Sequence, residues 1–365
     1  MMRFLSVFCL CLLGCVTTEK SNQVSDSVQS SEKLKVTHAT GFTISQLADG
    51  YSITVRNPQD TSQVLDTYKV SYKDTIGISI PIENAVLNST TFGAFFQYLD
   101  ALDKVKGMTY TDGVKSEPIL ELIDSGAIVE MISGDGVDFE RLLELNPDAV
   151  FAYSFGQADF SRYEEQGIPV VLLMDYKETH PLGRAEWIKV VGCFLGKYDE
   201  AVEIFEEVEA AYLKVMNQAM LHSTLPSAFT GSRYGDFWYA PGRDSYIAKF
   251  IQHAGANYTF QHLEGQESAE LDFEQALVTI SQADYWGLVV SSEEPFNYDD
   301  ISEMSPMYEN LKAFKKRQIF VCNTAEKDYF GEAVMEPHLI LSDLYKIFHP
   351  KAASDSAFHY FKPIR

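Results

Sequence analysis

The stretch RAEWIKVVGCFLGKYDEAVEIFEEVEAAYLKVMNQAMLH, residues 184–222, repeats apolar side chains at helical spacing, with charged residues between them. It predicts a long helix with one buried face, from Trp187 past Tyr212, which Gly196 and Lys197 can divide in two. Because strand–helix patterns lie on both sides, the helix indicates a rigid connector between two halves with a cleft between them. Taken alone, the stretch is also explained by an ordinary long surface helix.

The flanking segments alternate short apolar runs with amphipathic runs. In the first half the predicted elements are strands at 85–87, 149–152 and 170–173 and helices from Phe92, Phe139 and Phe160. In the second half they are strands at 227–230, 288–290 and 319–322 and helices at 245–254, 273–281, 307–315 and 337–348. Strands and helices that alternate at short intervals indicate βαβ units and mainly parallel sheets.

The predicted fold class is α/β, with two βαβ lobes joined by one long connector helix and an extra N-terminal β-hairpin region. Residues 34–80 predict that hairpin region because apolar and polar residues alternate along them. The expected domains are an N-terminal lobe with its β-rich extension at 34–183, the connector at 184–222 and a C-terminal lobe at 223–365.

The N-terminus has the pattern of an export signal. Arg3 precedes a ten-residue apolar run, which is shorter than the ~20 residues of a membrane span. The run ends in Leu-Leu-Gly-Cys15, which resembles a bacterial lipobox and implies cleavage before Cys15 and lipid attachment to it. We therefore predict a signal peptide and lipobox at 1–15 and a flexible tether at 16–33. The alternative is a plain secretory signal with an incidental cysteine.

Composition limits the classes of partner. The 365 residues carry a formal net charge of −23, which argues against nucleic acid or anionic lipid as the main partner. A hydrophobic fraction of 46% is enough for the cores of two ordinary domains. We expect a monomer that meets the membrane only through its lipid anchor.

A related phrase occurs once in each half of the chain. VDFERLL at 137–143 and LDFEQAL at 271–277 each place an aspartate, Asp138 or Asp272, at the predicted start of a helix. The glutamate two residues later therefore lies in a first helical turn. Glu140 and Glu274 can serve simply to complement the helix dipole, or the matched pair can share a role.

Together these motifs resemble the helical-backbone class of substrate-binding proteins of bacterial ABC importers, which serve cobalamin, ferric siderophores and haem. The resemblance covers roughly residues 85–365. It is carried by the lipobox at Cys15, FERLLELNPDAV at 139–150, GIPVV at 167–171, the connector, YAPGRDS at 239–245, AGAN at 254–257 and the Phe-Glu pair at 273–274. It implies two α/β lobes with ligand between them, and glutamates at positions matching Glu140 and Glu274 that dock onto arginines of the permease.

Ligands of open α/β sheets bind beyond the carboxyl ends of the strands, so residues just after each predicted strand are candidate contacts. The candidates are Tyr153, Phe155, Tyr176, Arg184, Arg233, Trp238, Tyr239, Arg243 and Tyr329. Aromatic rings and guanidinium groups suit a large, flat, partly anionic chelate. For any one aromatic residue the alternative is core packing, and Trp238, in a turn-rich run, is the strongest candidate.

The sequence has no His-x-His, His-x-x-x-His or mature Cys-x-x-Cys pair, and no phosphate-loop, dinucleotide or nucleophile-elbow motif. We therefore expect neither a resident metal or cofactor nor catalysis. The predicted function is that of a periplasmic, lipid-anchored binding protein, which carries an iron complex, a ferric siderophore or haem, to an ABC permease. The alternatives are a cobalamin carrier of the same class, a surface enzyme using Glu140 and Glu274 as acid and base, or a scaffold lipoprotein.

Overall fold

The computed structural model describes residues 32–73, 77–133, 136–154, 159–352 and 357–364. The predicted signal peptide, the lipidation site Cys15, most of the tether and the candidate residue Phe155 lie outside these ranges. No helix within the described ranges is long and apolar enough to cross a membrane.

The first lobe, residues 85–177, is built on a five-stranded parallel sheet. Its strands are short apolar runs because helices cover both faces, so that neither face needs polar residues. In spatial order the strands are Val170–Leu172, Ala149–Ala152, Ala85–Leu87, Val105–Met108 and Val129–Glu130. The α-helices of this lobe are Thr90–Tyr98, Glu117–Asp124, Phe139–Leu145 and Ser161–Glu164.

The second lobe, residues 227–364, repeats the design with a sheet of four parallel strands and one antiparallel edge strand. In spatial order the strands are Asn257–Tyr258, Ser227–Thr230, Tyr285–Val290, Ile319–Asn323 and Lys362–Pro363. The α-helices are Tyr246–His253, Phe273–Ile280, Tyr298–Met304, Lys312–Lys315 and Pro337–Phe348. The helix predicted at 307–315 is instead a 3₁₀ turn, Pro306–Asn310, followed by the short helix from Lys312.

A three-stranded antiparallel ribbon extends the second lobe, where the sequence indicated only turns. It consists of Ser232–Tyr234, Phe237–Pro241 and Ser268–Asp272. Gly235, at φ 61°, supplies the tight reversal between the first two strands, and this conformation favours glycine. The strand Ser268–Asp272 leads directly into the helix that carries Glu274.

Three consecutive helices occupy the stretch predicted as connector. They are Pro181–Ala185, Ile188–Leu195 and Tyr198–Ala219. The second ends at Gly196, whose φ of 68° stops the helix in a left-handed cap. All eight residues of Ile188–Leu195 are buried, and the 22-residue helix after it, about 33 Å long, packs on it and on Pro337–Phe348. The connector helices therefore join the cores of both lobes, and the predicted α/β class with two lobes is confirmed.

The N-terminal extension, predicted as a hairpin region, is a five-stranded sheet. Its strands are Glu32–Lys33, Phe42–Leu47, Gly50–Asn57, Asp60–Ser71 and Ile78–Ser79. One face packs on the connector: the rings of Phe42 and Trp187 have centroids 4.9 Å apart, and those of Tyr68 and Phe194 lie 5.9 Å apart. The extension therefore shares the core of the molecule.

Two buried carboxylates tie this sheet to the connector. Glu186, fully buried, accepts hydrogen bonds from the backbone N–H groups of residues 37, 38 and 39 at 2.7–2.8 Å and pairs with Lys189 Nζ at 2.7 Å. Glu178 accepts from the N–H groups of Thr40 and Gly41 and from the indole of Trp187. A buried carboxylate is tolerated only with such a set of donors, so loop 37–41 is fixed against the connector.

We expect Glu186→Ala to lower the free energy of unfolding by about 3–5 kcal/mol, because it leaves buried Lys189 and three N–H groups without their acceptor. Urea unfolding followed by circular dichroism measures the change. Glu207→Ala, at an exposed position on the next helix, is the control and should change stability by less than about 0.5 kcal/mol. Equal effects of the two substitutions would contradict the anchoring role of Glu186.

Candidate functional site

A cavity of about 420 Å³ lies between the lobes, at the carboxyl ends of the first-lobe strands. Its lining residues follow four of those strands, and one aromatic residue comes from the second lobe. They are Ser89, Thr90, Thr91, Phe92, Tyr110, Gly113, Tyr153, Asp175, Tyr176 and Phe330. The position agrees with the rule that ligands of open α/β sheets bind beyond the carboxyl ends of the strands.

The described wall of this cavity is largely aromatic and includes no basic side chain. The rings of Tyr153 and Tyr176 meet edge to face with centroids 5.8 Å apart, and the Tyr176 hydroxyl donates to the carbonyl of Ser154 at 2.5 Å. Burial raises the pKa of both phenols, so they stay neutral at physiological pH. Among the described lining residues, Asp175 is the one with a carboxyl group, and it already has a partner.

That partner is Arg184, at the first turn of the connector. Its Nη2 lies 3.2 Å from Asp175 Oδ2, and its guanidinium lies 4.6 Å from the ring centroid of Tyr246 in the second lobe. Burial raises the pKa of the Asp175 carboxyl, against the pull of Arg184. Arg184 therefore pairs with a buried carboxylate at the junction of the lobes, although its buried Nε has no partner within the described chain. It lines a small neighbouring cavity together with Tyr329.

Two further cavities continue the cleft into the second lobe. One of about 270 Å³ is lined by Tyr239 and Tyr329 among others, and one of about 200 Å³ by Tyr176 and Glu267 among others. Tyr239 donates its hydroxyl to Glu270 at 2.9 Å. Four sequence candidates, Tyr153, Tyr176, Tyr239 and Tyr329, thus line the cleft, and their contact with a ligand remains a prediction.

Direct contacts bridge the two lobes at the edges of the cleft. Thr91 Oγ1 donates to the carbonyl of Phe330 at 2.7 Å, and Lys177 Nζ pairs with Glu267 at 2.9 Å. Gln59, in the N-terminal sheet, also donates to Glu267. These contacts connect the two lobes across the cleft, and Lys177 is engaged by a carboxylate.

The expectation for Trp238 needs correction. Its side chain is fully buried, packed on Trp286 at 5.9 Å and Tyr308 at 6.2 Å between ring centroids, and it lines none of the cavities described above. Successive side chains of a strand point to opposite faces of the sheet. Because Tyr239 faces the cleft, the side chain of its neighbour Trp238 points into the core. Trp238 therefore packs in the core, which is the alternative to ligand contact given in the sequence analysis.

Two of the candidate arginines also lie elsewhere. Arg233 is paired in register with Trp238, so it shares that face of the ribbon, and its guanidinium covers the ring of Phe273 at 4.2 Å. Arg243 pairs with Glu264 at 3.3 Å on the surface. Neither lines a cavity described above, so the basic lining expected for an anionic chelate is not found there.

Sequence reasoning missed Tyr110 and Phe92 among the lining residues. Tyr110 follows the strand Val105–Met108, whose sequence Val-Lys-Gly-Met lacks the run of β-branched residues by which strands are recognised. Phe92 was assigned to a helix, correctly, but the face of the helix that meets the cavity depends on tertiary packing.

The matched glutamates lie on the surface, one on each lobe. Asp138 and Asp272 cap their helices as predicted, accepting from the N–H groups of Arg141 at 3.0 Å and Gln275 at 3.1 Å. Glu140 and Glu274 are exposed, and neither lines a described cavity. They do not share a pocket of the described chain as a catalytic acid and base would. Within the described ranges, no cluster of three or more His, Cys, Asp or Glu residues is suited to a metal ion.

One loop beside the cleft carries a titratable group in an unusual setting. Asp328 directly precedes Tyr329 and Phe330 and is only 9% exposed. One of its carboxylate oxygens accepts from the N–H of Glu332 at 3.2 Å, and the other has no partner within the described chain. Burial, with the nearby negative charges of Glu332 and Glu336, raises the pKa of Asp328 to about 6.

Comparisons with known proteins agree with this geometry. Residues 89–325 match the family described as periplasmic binding protein. An uncharacterized lipoprotein of Methanocaldococcus jannaschii is 29% identical over 295 residues, which cover 78% of this chain and 69% of the relative. A second such lipoprotein of the same organism is 26% identical over 260 residues, covering 68% of this chain and 65% of the relative.

Solved structures share the fold at low sequence identity. A periplasmic haem-binding protein of Pseudomonas aeruginosa aligns with a TM-score of 0.59 at 14% identity, covering 78% of this chain and 98% of that chain. A chain described as an ABC-type Fe³⁺-hydroxamate transport system, from Saccharomonospora viridis, aligns with a TM-score of 0.56 at 17% identity, covering 75% and 96%.

We expect Asp328→Asn to stabilise the protein at pH 8. The folded-state pKa of about 6 lies above the unfolded value of about 3.9, so this group favours folding at low pH and costs stability progressively as pH rises through 6. The amide should raise the unfolding free energy by on the order of 2 kcal/mol at pH 8 and leave it nearly unchanged at pH 4. Urea unfolding at both pH values is the measurement, with the exposed Asp124→Asn as control. A gain that is the same at both pH values would contradict the assignment.

Proposed function

The chain belongs to the periplasmic binding protein family, and on that premise we propose that it is the substrate-binding lipoprotein of an ABC importer that carries a metal chelate between its two lobes. The cargo we favour is a ferric siderophore with little net charge, such as an iron hydroxamate. Binding is non-covalent, and no chemical change of the ligand is involved.

The observation that carries this choice is the neutral lining of the 420 Å³ cavity. A cavity of this size is in the ordinary range for small-molecule sites, about 300–1,000 Å³. Tyrosine and phenylalanine rings with threonine hydroxyls suit an apolar chelate with a few polar edges. Haem propionates or an iron catecholate would bring carboxylate or surplus negative charge into a wall without a basic side chain, and burying such charge unpaired is costly.

The cations nearest the cleft do not favour an anionic ligand over a neutral one. Arg184 is held by Asp175, and Lys177 is held by Glu267. An anionic ligand would have to compete with a carboxylate for each of these cations.

Cobalamin is the second candidate, because the cavities of about 270 and 200 Å³ adjoin through shared lining residues and extend the cleft for a bulkier ligand. Pro241, Ile247 and Ser268 line both of these cavities. Opening of the cleft at the Lys177–Glu267 pair would merge them with the larger cavity.

The docking and anchoring roles follow from the family. Glu140 and Glu274 would meet arginines of the permease as bidentate pairs, one on each lobe. Cys15 would carry the lipid that anchors the protein, in the periplasm, to the inner or the outer bacterial membrane. We propose that the protein acts as a monomer, with the lobes and connector divided as the sequence predicts.

A four-ligand panel tests the proposed ligand class. We expect ferrichrome, an iron hydroxamate, to quench intrinsic fluorescence at lower concentration than ferric enterobactin or haem, with cyanocobalamin as the second-best ligand. Tyr176→Ala should weaken ferrichrome binding about tenfold or more by removing a stacking ring, whereas Tyr72→Ala, at an exposed position just after the strand Asp60–Ser71, should not. Tighter binding of haem or enterobactin would refute the neutral-ligand assignment, and a ligand recovered chemically altered would indicate an enzyme.

We expect Glu140→Lys combined with Glu274→Lys to abolish chelate uptake while ligand affinity stays within a few-fold, since both side chains lie outside the cleft. Uptake of ⁵⁵Fe-labelled chelate by cells and fluorescence titration of the purified protein measure the two quantities. The control is Glu117→Lys with Asp299→Lys, which reverses two exposed charges in first helical turns of the same lobes. Survival of uptake in the first variant would show that these glutamates are not the docking residues.

A further inference from the structure

Each lobe holds an arginine against the phenylalanine that precedes its surface glutamate. In the first lobe the ring of Phe139 meets the edge of Tyr163, with centroids 5.4 Å apart and planes at 81°. The guanidinium carbon of Arg162 lies 4.1 Å from the centroid of the same Phe139 ring. Arg162 is therefore stacked on the residue next to Glu140.

The second lobe has the same arrangement around Phe273. Its ring meets Tyr308 with centroids 5.9 Å apart and planes at 80°, and the guanidinium carbon of Arg233 lies 4.2 Å from its centroid. Arg233 is therefore stacked on the residue next to Glu274. The two lobes agree in the aspartate cap, the phenylalanine, the tyrosine edge, the arginine and the exposed glutamate.

The arginines reach these positions from unrelated parts of the chain. Arg162 lies in a short helix that follows Glu140 in sequence, whereas Arg233 lies in the antiparallel ribbon that precedes Glu274. If the two arrangements came from a duplicated segment, the arginine would either precede the glutamate in both lobes or follow it in both. The arrangement has thus been built twice from different elements, which indicates a requirement at the glutamates and not a remnant of duplication.

Both charges of each patch remain open to a partner. Glu140, Glu274 and Arg162 make no ion pair within the described ranges, although acid and base lie beside each other. Arg233 donates its Nε–H to the carbonyl of Gly235 at 2.7 Å, and its one ion contact is loose, 3.6 Å from Nη2 to Asp236, a side chain that is 94% exposed. Stacking on a ring holds the guanidinium plane and leaves N–H donors on its edge for another molecule.

An exposed aliphatic side chain completes each patch, one turn along the helix from the glutamate. Leu143, three residues after Glu140, is 43% exposed, and Val278, four residues after Glu274, is 77% exposed. The first docking patch is thus Arg162, Glu140 and Leu143, and the second is Arg233, Glu274 and Val278.

We propose that Arg162 and Arg233 are docking residues, and that the permease presents an acidic group to each of them beside the basic group that meets each glutamate. This inference rests on the proposed docking function. A patch with adjacent opposite charges fixes the orientation of the partner, because rotation of either surface brings like charges together. A guanidinium already held in place by a ring loses less freedom on binding than a free side chain does.

The test measures binding of the full-length purified protein to the importer complex, reconstituted in nanodiscs, that takes up its chelate. Arg162→Glu combined with Arg233→Glu should weaken this binding at least tenfold, with ligand affinity and thermal unfolding unchanged. The Lys pair at the same positions keeps the charges but loses the planar stacked guanidinium, so it should bind more weakly than the original chain and more tightly than the Glu pair.

The matched control is Arg317→Glu, because Arg317 is also exposed and also stacked, 4.1 Å from the ring centroid of Tyr298, but has no docking glutamate beside it. If the Glu pair binds as well as this control, or the Lys pair binds as weakly as the Glu pair, the acidic partner group is refuted. If Glu140→Lys with Glu274→Lys still abolishes binding in either case, the proposed function stands without this inference. If that variant also binds normally, the docking function itself is wrong.

Discussion

The carboxylates of Glu178 and Glu186 impose the constraint on which the rest of the structure depends. Both are buried beside the start of the connector, where an ionised carboxylate is stable only if donors surround it. The donors are five consecutive backbone N–H groups at 37–41, with Trp187 and Lys189. Satisfying these two side chains fixes the N-terminal sheet against the helices that join the lobes.

The segment that carries Glu178 and Glu186 also borders the cleft. Asp175 and Arg184 lie on either side of Glu178 in sequence and pair with each other where the lobes meet. Because this arginine is committed to a buried carboxylate, it adds no free positive charge to the site. The ligand chemistry we propose, an apolar chelate with little net charge, is thus linked to the way in which the connector is anchored. A motion of the lobes that changed the cleft would also have to preserve the pair between Asp175 and Arg184.

Charge at the protein surface is arranged differently from charge in the cleft. The chain carries a net charge of −23, yet each docking patch places a guanidinium on a phenylalanine ring beside the exposed glutamate. A negative protein can approach a basic membrane partner over long range, whereas short-range pairing decides orientation. The proposed ligand site and the proposed docking patches therefore differ in charge, since the first has no basic side chain in its described lining and the second displays both charges.

The sequence by itself determined the features that depend on neighbours along the chain. Helical spacing predicted the buried face of Tyr198–Ala219, although not that Ile188–Leu195 is buried on all sides. Asp138 and Asp272 were recognisable as caps, and strand ends predicted that Tyr153 and Tyr176 would lie at the cleft. These signals are local, because period, cap and turn chemistry act over a few residues. Only the tertiary structure decided which face of each element meets the core. It turned Trp238 inward and Tyr239 outward, placed Arg233 on Phe273, and joined residue 37 to Glu186 across 149 positions of sequence, because those outcomes depend on packing partners that no local pattern specifies.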